Sequence, residues 1–268
     1  MLFRLLPRMS LLTSLWSFLS HVLRRHLRLL VGLVLGFLAP WLVFLKIAEE
    51  IWEGDGFPGD QAILQFLHAH ARPFLDSAAL GLSRAGGPLG ASLLAVAGAL
   101  VLLVARQRRA LAFFALAVVG AQLLNLLAKC LLVRQRPALW PSLAPETSYS
   151  FPSGHSMAAA ALATTVGLLL WRTRFRWLAV AAGLLWAGSM GWSRAYLGVH
   201  YPSDVLAGWV GSAGWVGGLH LLFARYFDEL RHVWGEARLY WHAPAAARLA
   251  REIPPARPLL IDVPTNSR

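Results

Sequence analysis

Long apolar runs separated by short basic segments constrain this chain more than any other feature. A helix needs roughly 20 mostly apolar residues, or about 17 at the short end, to cross the hydrocarbon core of a bilayer. Six runs are near or above that length, the fifth being the shortest: Leu29 to Leu45, Leu89 to Ala105, Ala110 to Ala128, His155 to Trp171, Trp177 to Trp192, and Val205 to Ala224. Only 14% of the 268 residues are charged and 57% are hydrophobic, which is unlike a soluble domain. The sequence therefore predicts an all-α, polytopic membrane protein with six transmembrane helices.

The formal net charge of +12 raises the possibility of a nucleic-acid partner. The basic residues, however, form blocks between the apolar runs, which is the pattern of cytoplasmic loops in membrane proteins. The blocks are Arg4, Arg8, Arg24, Arg25 and Arg28; Arg106, Arg108 and Arg109; Arg172, Arg174 and Arg176; and Arg225 with Arg231. We therefore expect no nucleic acid and predict that all four blocks lie on the cytoplasmic side.

The opposite side receives a group of acidic residues: Glu49, Glu50, Glu53, Asp55, Asp60 and Asp76. Both termini are then predicted to be cytoplasmic and this acidic side to face outward, which in a bacterial inner membrane is the periplasm. The predicted domains are a cytoplasmic amphipathic segment over residues 1–28, a membrane domain over 29–227 and a cytoplasmic tail over 228–268. Short amphipathic helices are expected in the outer segment between the first two spans. The single cysteine, Cys130, excludes an intrachain disulfide and a cysteine-rich metal site.

The first of three polar clusters runs from Lys129 to Pro137 and reads KCLLVRQRP. Lys129 lies at the outer end of the third span, and Arg136 follows seven residues later, where Pro137 disfavours further helix. Both side chains can reach the outer boundary, where arginine offers phosphate oxygens a planar fork and lysine a compact charge. Taken alone, the pair is equally compatible with basic residues that extend from a helix end to the interface.

The second cluster, PSGH, runs from Pro152 to His155. A helix that begins here directs unpaired N–H groups and the positive end of its dipole outward, and Gly154 allows a close approach. Ser153 and Gly154 are therefore candidate ligands for an anion. The alternative is that Ser153 is an ordinary helix N-cap.

The third cluster, SRAYLGVHYPSD, contains Ser193 and Arg194 at the end of the fifth span and His200 and Asp204 at the start of the sixth. The spacing of four residues lets Asp204 accept a hydrogen bond from one imidazole nitrogen of His200 while the other points outward. Such a pair fixes the tautomer and raises basicity, as a histidine nucleophile requires. A purely structural histidine–aspartate pair is the alternative.

All three clusters fall on the same predicted outer face, and each contributes a group compatible with phosphate. Ionisable side chains at or within a membrane are costly, so that they are functional by default. We therefore interpret the three clusters as one site that binds and cleaves a phosphate ester.

Together the clusters resemble the three-part signature of the type 2 phosphatidic acid phosphatase superfamily. The matching positions are Lys129-x6-Arg136-Pro137, Pro152-Ser153-Gly154-His155 and Ser193-Arg194-x5-His200-x3-Asp204. The resemblance covers residues 129–204, and the predicted six-helix topology extends it over most of the chain. It implies a helical bundle like that of these phosphatases and the related haloperoxidases.

The resemblance also implies a phosphatase without a metal or other cofactor. His200 would attack phosphorus to form a phosphohistidine, Asp204 would orient His200, and His155 would protonate the leaving oxygen and then activate water. The implied phosphate ligands are Lys129, Arg136, Ser153, Gly154, Ser193 and Arg194.

A lipid phosphate or diphosphate is the expected substrate, because a site at the outer interface admits a headgroup while the tail stays in the bilayer. Undecaprenyl diphosphate is the first candidate, and phosphatidylglycerophosphate, phosphatidic acid and diacylglycerol pyrophosphate are others. Rival hypotheses are a phosphotransferase that uses the same phosphohistidine, a vanadate-dependent haloperoxidase, and a catalytically silent transporter or scaffold. The oligomeric state does not follow from the sequence.

Overall fold

A computed structural model describes residue 27, residues 30–54 and residues 56–242, with side chains described up to residue 223. Every regular element in these ranges is helical. In chain order the helices are α1 (Leu30–Trp52, with a π-helical turn at Val34–Leu38), α2 (Asp60–Ala69), α3 (Pro73–Ala85), α4 (Pro88–Val104), α5 (Arg108–Leu132), α6 (Gly154–Leu170), α7 (Arg176–Tyr196) and α8 (Pro202–His242). The predicted all-α class is confirmed for this part of the chain.

Three of the described helices are long and apolar enough to cross a membrane: Leu30–Trp52, Arg108–Leu132 and Pro202–Phe223. A fourth candidate is the pair α3 and α4, which is bent by 50° at a short break. The apolar helix α6 is shorter than these. The chain is thus an integral membrane protein, whereas the number of six spans stays a prediction.

Helix α4 has the surface expected of a lipid-facing helix. None of its residues is buried, although its sequence is apolar from end to end. Leu89 is 74% exposed and Val104 81% exposed on this helix. Exposing so large an uninterrupted apolar surface to water is unfavourable, whereas exposing it to hydrocarbon is not.

Helices α2 and α3 fill the segment between α1 and α4, where short amphipathic helices are predicted from the sequence. Each buries an apolar side of its own, since Leu64 on α2 and Ala79 on α3 are fully buried. Helix α3 packs on α7, and the Ser193 hydroxyl of α7 donates a hydrogen bond to the Ala79 carbonyl at 2.9 Å. Helices α2 and α3 are therefore part of the folded unit that carries the polar clusters.

Close packing brings the first turns of α6 and α8 together. A Cβ atom at Gly208 of α8 would lie 3.0 Å from the Ser153 carbonyl oxygen and 3.1 Å from the Met157 nitrogen, which is tighter than ordinary contact. The backbone N–H of Ser153 also donates to the Asp204 carbonyl at 3.1 Å. A small residue at position 208 thus allows two helix N-termini to meet, as small residues do between membrane helices.

The chain divides into two units, Met1–Phe223 and Ala224–Arg268. In the second unit the backbone of α8 continues to His242, so that the helix extends beyond the predicted end of the sixth span at Ala224. The predicted N-terminal amphipathic helix and the Pro-rich part of the tail after Ala243 lie outside the described residues. The boundary between membrane domain and tail at residues 227 and 228 stays a prediction.

Candidate active site

The three polar clusters are carried by helix ends and by the loops beside them. Helix α5 ends at Leu132, and the next residue, Val133, has a left-handed backbone with φ 46°, which turns the chain toward Arg136. His155 lies in the first turn of α6, and Arg194 in the last turn of α7. Gly198, with φ 66°, reverses the chain after α7 and leads to His200.

His200 lies at the centre of the site and is 1% exposed. Its Nδ1 atom is 3.5 Å from Asp204 Oδ2, and its Nε2 atom is 3.1 Å from Arg136 Nη1. Burial lowers the pKa of His200 from its ordinary value of 6.5 to about 4, although Asp204 opposes this shift. The imidazole is therefore neutral at pH 7, with one nitrogen toward the carboxylate and the other toward the arginine.

Asp204 is completely buried and its carboxylate is held by several donors. The Ser150 hydroxyl donates to Oδ2 at 2.5 Å, and the Tyr201 backbone N–H donates to the same oxygen at 2.9 Å. Arg134 Nη1 donates to Oδ1 at 2.5 Å. A buried carboxylate with this many donors stays ionised and keeps one orientation.

Arg136 and Arg194 converge on one carboxylate, that of Glu146. Arg136 Nη2 is 2.7 Å from Glu146 Oε2, and Arg194 Nη2 donates to Oε1. His155 Nδ1 lies 3.9 Å from Oε1, so that a third predicted site residue borders the same group. Burial raises the pKa of the Glu146 carboxyl, but Arg194 and Arg136 outweigh this effect and hold the pKa below its usual range. Glu146 is therefore an anion bound between two cations.

Arg194 retains an unused donor at this position. Its Nη1 atom donates to Ser83 Oγ at 2.5 Å and its Nη2 atom to Glu146, but its buried Nε atom has no hydrogen-bond partner among the described residues. Unpaired buried donors are rare and costly in folded proteins. The unpaired Nε atom is therefore a candidate donor to a ligand oxygen.

The other predicted phosphate ligands face protein groups. Lys129 Nζ donates to the Tyr149 carbonyl and lies 3.2 Å from Ser148 Oγ, beside the loop that carries Glu146. Ser153 is fully buried, and its Oγ lies 3.4 Å from the Ser156 nitrogen as a helix cap, which is the alternative that its sequence position allows.

Two further predicted ligands take part in helix packing. The Ser193 hydroxyl is used in the contact between α7 and α3. A Cβ atom at Gly154 would lie 3.2 Å from Asn125 Oδ1, so that glycine permits a close contact with α5. Phosphate binding by Lys129, Ser153, Gly154 and Ser193 stays a prediction.

Four residues of the site are absent from the candidates that the sequence supplies: Asp60, Arg134, Glu146 and Ser150. Arg134 lies inside the first polar cluster, two residues before Arg136, and its charge was a usable signal. Asp60, Glu146 and Ser150 lie in segments whose spacing indicates no partner. Their roles depend on contacts between distant parts of the chain.

Comparison with known proteins agrees with this fold. A family model of the PAP2 superfamily matches residues 110–228. Phosphatidylglycerophosphatase B of Bacillus subtilis is 32% identical over 201 residues, which cover 70% of this chain and 93% of that protein. Undecaprenyl-diphosphatase of Sulfolobus acidocaldarius is 34% identical over 117 residues, covering 42% of this chain and 54% of that protein, so that the chain matches about half of that relative's length.

A solved structure also resembles the chain over most of its length. The transmembrane PAP2 type phosphatidylglycerolphosphate phosphatase from Bacillus subtilis superposes with a TM-score of 0.61 and 29% identity, covering 72% of this chain and 95% of that one. The fold and the sequence together define a helical membrane phosphatase. The chain belongs to the PAP2 superfamily, and the resemblance drawn from the three sequence clusters is confirmed.

Proposed function

We propose that the chain, a phosphatase of the PAP2 superfamily, hydrolyses a lipid phosphate or diphosphate through a phosphohistidine at His200. The observation that supports this most directly is the carboxylate of Glu146 bound by Arg136 and Arg194 beside His200 Nε2. Carboxylate and phosphate oxygens use the same donor geometry on arginine. A substrate phosphate in the place of Glu146 would have its phosphorus next to the imidazole nitrogen.

The first chemical step breaks the bond between phosphorus and the leaving oxygen. The lone pair of His200 Nε2 forms the new bond to phosphorus, while the leaving oxygen takes a proton from His155. Arg136 and Arg194 stabilise the charge that gathers on the equatorial oxygens in the transition state. Asp204 accepts a hydrogen bond from the Nδ1–H group of His200, and its negative charge stabilises the ring when it becomes cationic.

The second step returns the enzyme to its starting state. Water attacks phosphorus and gives its proton to His155, which is neutral after the first step. The bond between nitrogen and phosphorus breaks, and its electron pair returns to His200 Nε2. The products are inorganic phosphate and the dephosphorylated lipid, and His155 carries a proton again.

The proposed substrate is a lipid, with undecaprenyl diphosphate as the first candidate. Relatives are named undecaprenyl-diphosphatase, phosphatidylglycerophosphatase B and Lipid A 1-phosphatase. Each of these names refers to a lipid that carries phosphate. The apolar, exposed surface of α4 supports a site reached from a bilayer. A phosphotransferase with the same phosphohistidine would pass the phosphate to a second acceptor, so that product analysis separates the two reactions.

The test is phosphate release by the purified protein in detergent, with a panel of lipid mono- and diphosphates and with EDTA present. We expect release to continue in EDTA and to be lost in His200→Ala. The matched control is His70→Ala, because His70 is exposed and its ring contacts Phe66 in its own helix turn. Full activity in a folded His200→Ala variant contradicts the proposed nucleophile, and a wild-type chain inactive on every substrate supports the scaffold hypothesis.

We also propose that the site faces the periplasm of a bacterial inner membrane and that both termini are cytoplasmic. The basic blocks of the sequence support this orientation through the positive-inside rule. A dual alkaline phosphatase and β-galactosidase reporter fused after Arg268 should report the cytoplasm. A periplasmic signal from that fusion would reverse the orientation.

A further inference from the structure

A buried ion network lies behind His200, on the side away from the substrate position. Asp204 Oδ1 accepts a hydrogen bond from Arg134 Nη1 at 2.5 Å, and Arg134 Nη2 donates to Asp60 Oδ2 at 2.8 Å. The side chains of Asp60, Arg134 and Asp204 are 5%, 11% and 0% exposed. None of the three functions proposed for the clusters, namely attack, proton transfer and phosphate binding, uses Asp60 or Arg134.

Asp60 connects this network to the helix that carries Asp204. Its Oδ1 accepts the backbone N–H of Ser203 at 2.9 Å, and its Oδ2 accepts the Ser203 hydroxyl at 2.5 Å. Ser203 is in the first turn of α8, where backbone N–H groups lack partners within the helix and favour an anion. Asp60, the first residue of α2, therefore caps α8 one residue before Asp204.

Arg134 is held on all sides. Its backbone carbonyl accepts the Ser150 N–H at 2.8 Å, its Nη1 also donates to Ser203 Oγ at 2.8 Å, and its guanidinium lies 4.1 Å from the centre of the Tyr201 ring. A guanidinium fixed in this manner presents its fork in one direction only. The carboxylate of Asp204 is thereby held with Oδ2 on the side of His200.

The charges of the network explain why both residues are present. Arg134 alone would cancel the negative charge of Asp204, and the pair would then stabilise a cationic imidazole poorly. Asp60 adds a second carboxylate, so that the three side chains carry one net negative charge in a buried place. That charge matches the positive charge that the His200 ring gains when phosphorus bonds to Nε2 and Nδ1 keeps its proton.

We propose that Arg134 and Asp60 are positioning residues for the phosphatase reaction: Arg134 fixes the orientation of the Asp204 carboxylate, and Asp60 balances the charge of Arg134. The inference rests on the proposed function, because it assigns the two residues to formation of the phosphohistidine. Neither residue touches the substrate. Their loss should therefore slow the chemical step more than it weakens binding.

The test compares Arg134→Met, Arg134→Lys and Asp60→Asn with wild type for kcat, KM and inhibition by vanadate. We expect kcat to fall about 10- to 100-fold in Arg134→Met, as with other groups that orient a functional side chain, while KM and the vanadate inhibition constant change less than about threefold. Arg134→Lys, which keeps the charge, should recover part of the lost kcat. Asp60→Asn should lower kcat about 3- to 10-fold.

The matched control is Asp76→Asn, because Asp76 on the neighbouring helix α3 accepts the Tyr196 hydroxyl at 2.7 Å and contacts neither His200 nor Asp204. We expect less than a twofold change in its kcat. A kcat equal to that of wild type in folded Arg134→Met and Asp60→Asn overturns the proposal. So does a parallel loss of kcat, vanadate affinity and thermal stability that Asp76→Asn reproduces, because this is the pattern of a purely structural role.

A second measurement does not depend on turnover. The ¹⁵N NMR signals of the His200 ring, assigned by their disappearance in His200→Ala, should show one tautomer with the proton on Nδ1 in the wild type and a mixture in Arg134→Met. A single Nδ1–H tautomer in both proteins contradicts the positioning role. If the tautomer shifts in Arg134→Met but no lipid phosphate is hydrolysed by the wild type, the proposed function fails while the positioning of His200 stands.

Discussion

The two sides of His200 are built from the same kinds of residue in opposite proportions. On the substrate side, Arg136 and Arg194 share one carboxylate, that of Glu146. On the far side, two carboxylates share one arginine, since Arg134 lies between Asp60 and Asp204. The substrate side therefore carries a net positive charge and the far side a net negative charge.

The two carboxylate environments also differ in their access to solvent. The side chain of Glu146 is 28% exposed, whereas that of Asp60 is 5% exposed and that of Asp204 is buried completely. A carboxylate that reaches solvent can leave its partners when another anion takes its place, whereas a buried carboxylate cannot lose its partner without a large penalty. We infer that the substrate side is an exchangeable anion site, and that the far side is a permanent support for His200.

Among the variants that test this contrast, the largest loss of activity is expected from removing a cation of the substrate side. Arg194→Met should lower kcat/KM about 10²- to 10³-fold, as loss of a preorganised donor to transition-state charge does elsewhere. Steady-state hydrolysis of the best lipid substrate measures the change. Arg84→Met, at an exposed arginine near the end of α3, is the control, and we expect less than a twofold effect there.

Arg194→Lys separates charge from geometry at the same position. Lysine keeps one positive charge but lacks the planar fork that reaches Ser83 and Glu146 together. We expect kcat/KM of Arg194→Lys to be about tenfold higher than that of Arg194→Met. If a folded Arg194→Met variant keeps the wild-type kcat/KM, Arg194 does not bind the phosphate, and Arg136 is the arginine that does.

The sequence predicts the two sides of His200 unequally. Local spacing is sufficient for the pairing of His200 with Asp204, because His200 lies two residues before α8 and Asp204 lies in the first turn of that helix. The arginines of the substrate side follow from the family signature. Asp60 reaches Ser203 across 143 positions, and no spacing rule spans that distance. The number of spans is similarly uncertain from composition, because α7 is long but less apolar than α5.

Ser153 and Glu146 show two further limits of motif reasoning. A serine before a helix is compatible both with anion binding and with helix capping, and here its hydroxyl caps the helix. Glu146 lies in a Pro-rich loop without periodicity, so that nothing in its neighbours predicts a contact with two arginines. Both assignments require the folded loop between α5 and α6.

A smaller effect is expected when the exchangeable carboxylate loses its charge. Glu146→Gln keeps the shape of the side chain but no longer competes with phosphate for Arg136 and Arg194. We expect KM and the vanadate inhibition constant to fall about 3- to 10-fold, since partly exposed ion pairs contribute on the order of 1 kcal/mol.

Glu49→Gln provides the same substitution at an exposed glutamate that pairs with Lys46 on α1, and it should change neither constant. We expect the opposite pattern for Asp60 on the far side. Asp60→Asn should lower kcat and change the vanadate inhibition constant by less than about threefold. A higher KM in folded Glu146→Gln would mean that Glu146 orders the two arginines for the substrate instead of occupying its place. The substrate side would then be a permanent ion network like the one behind His200, and the contrast between the two sides would be lost.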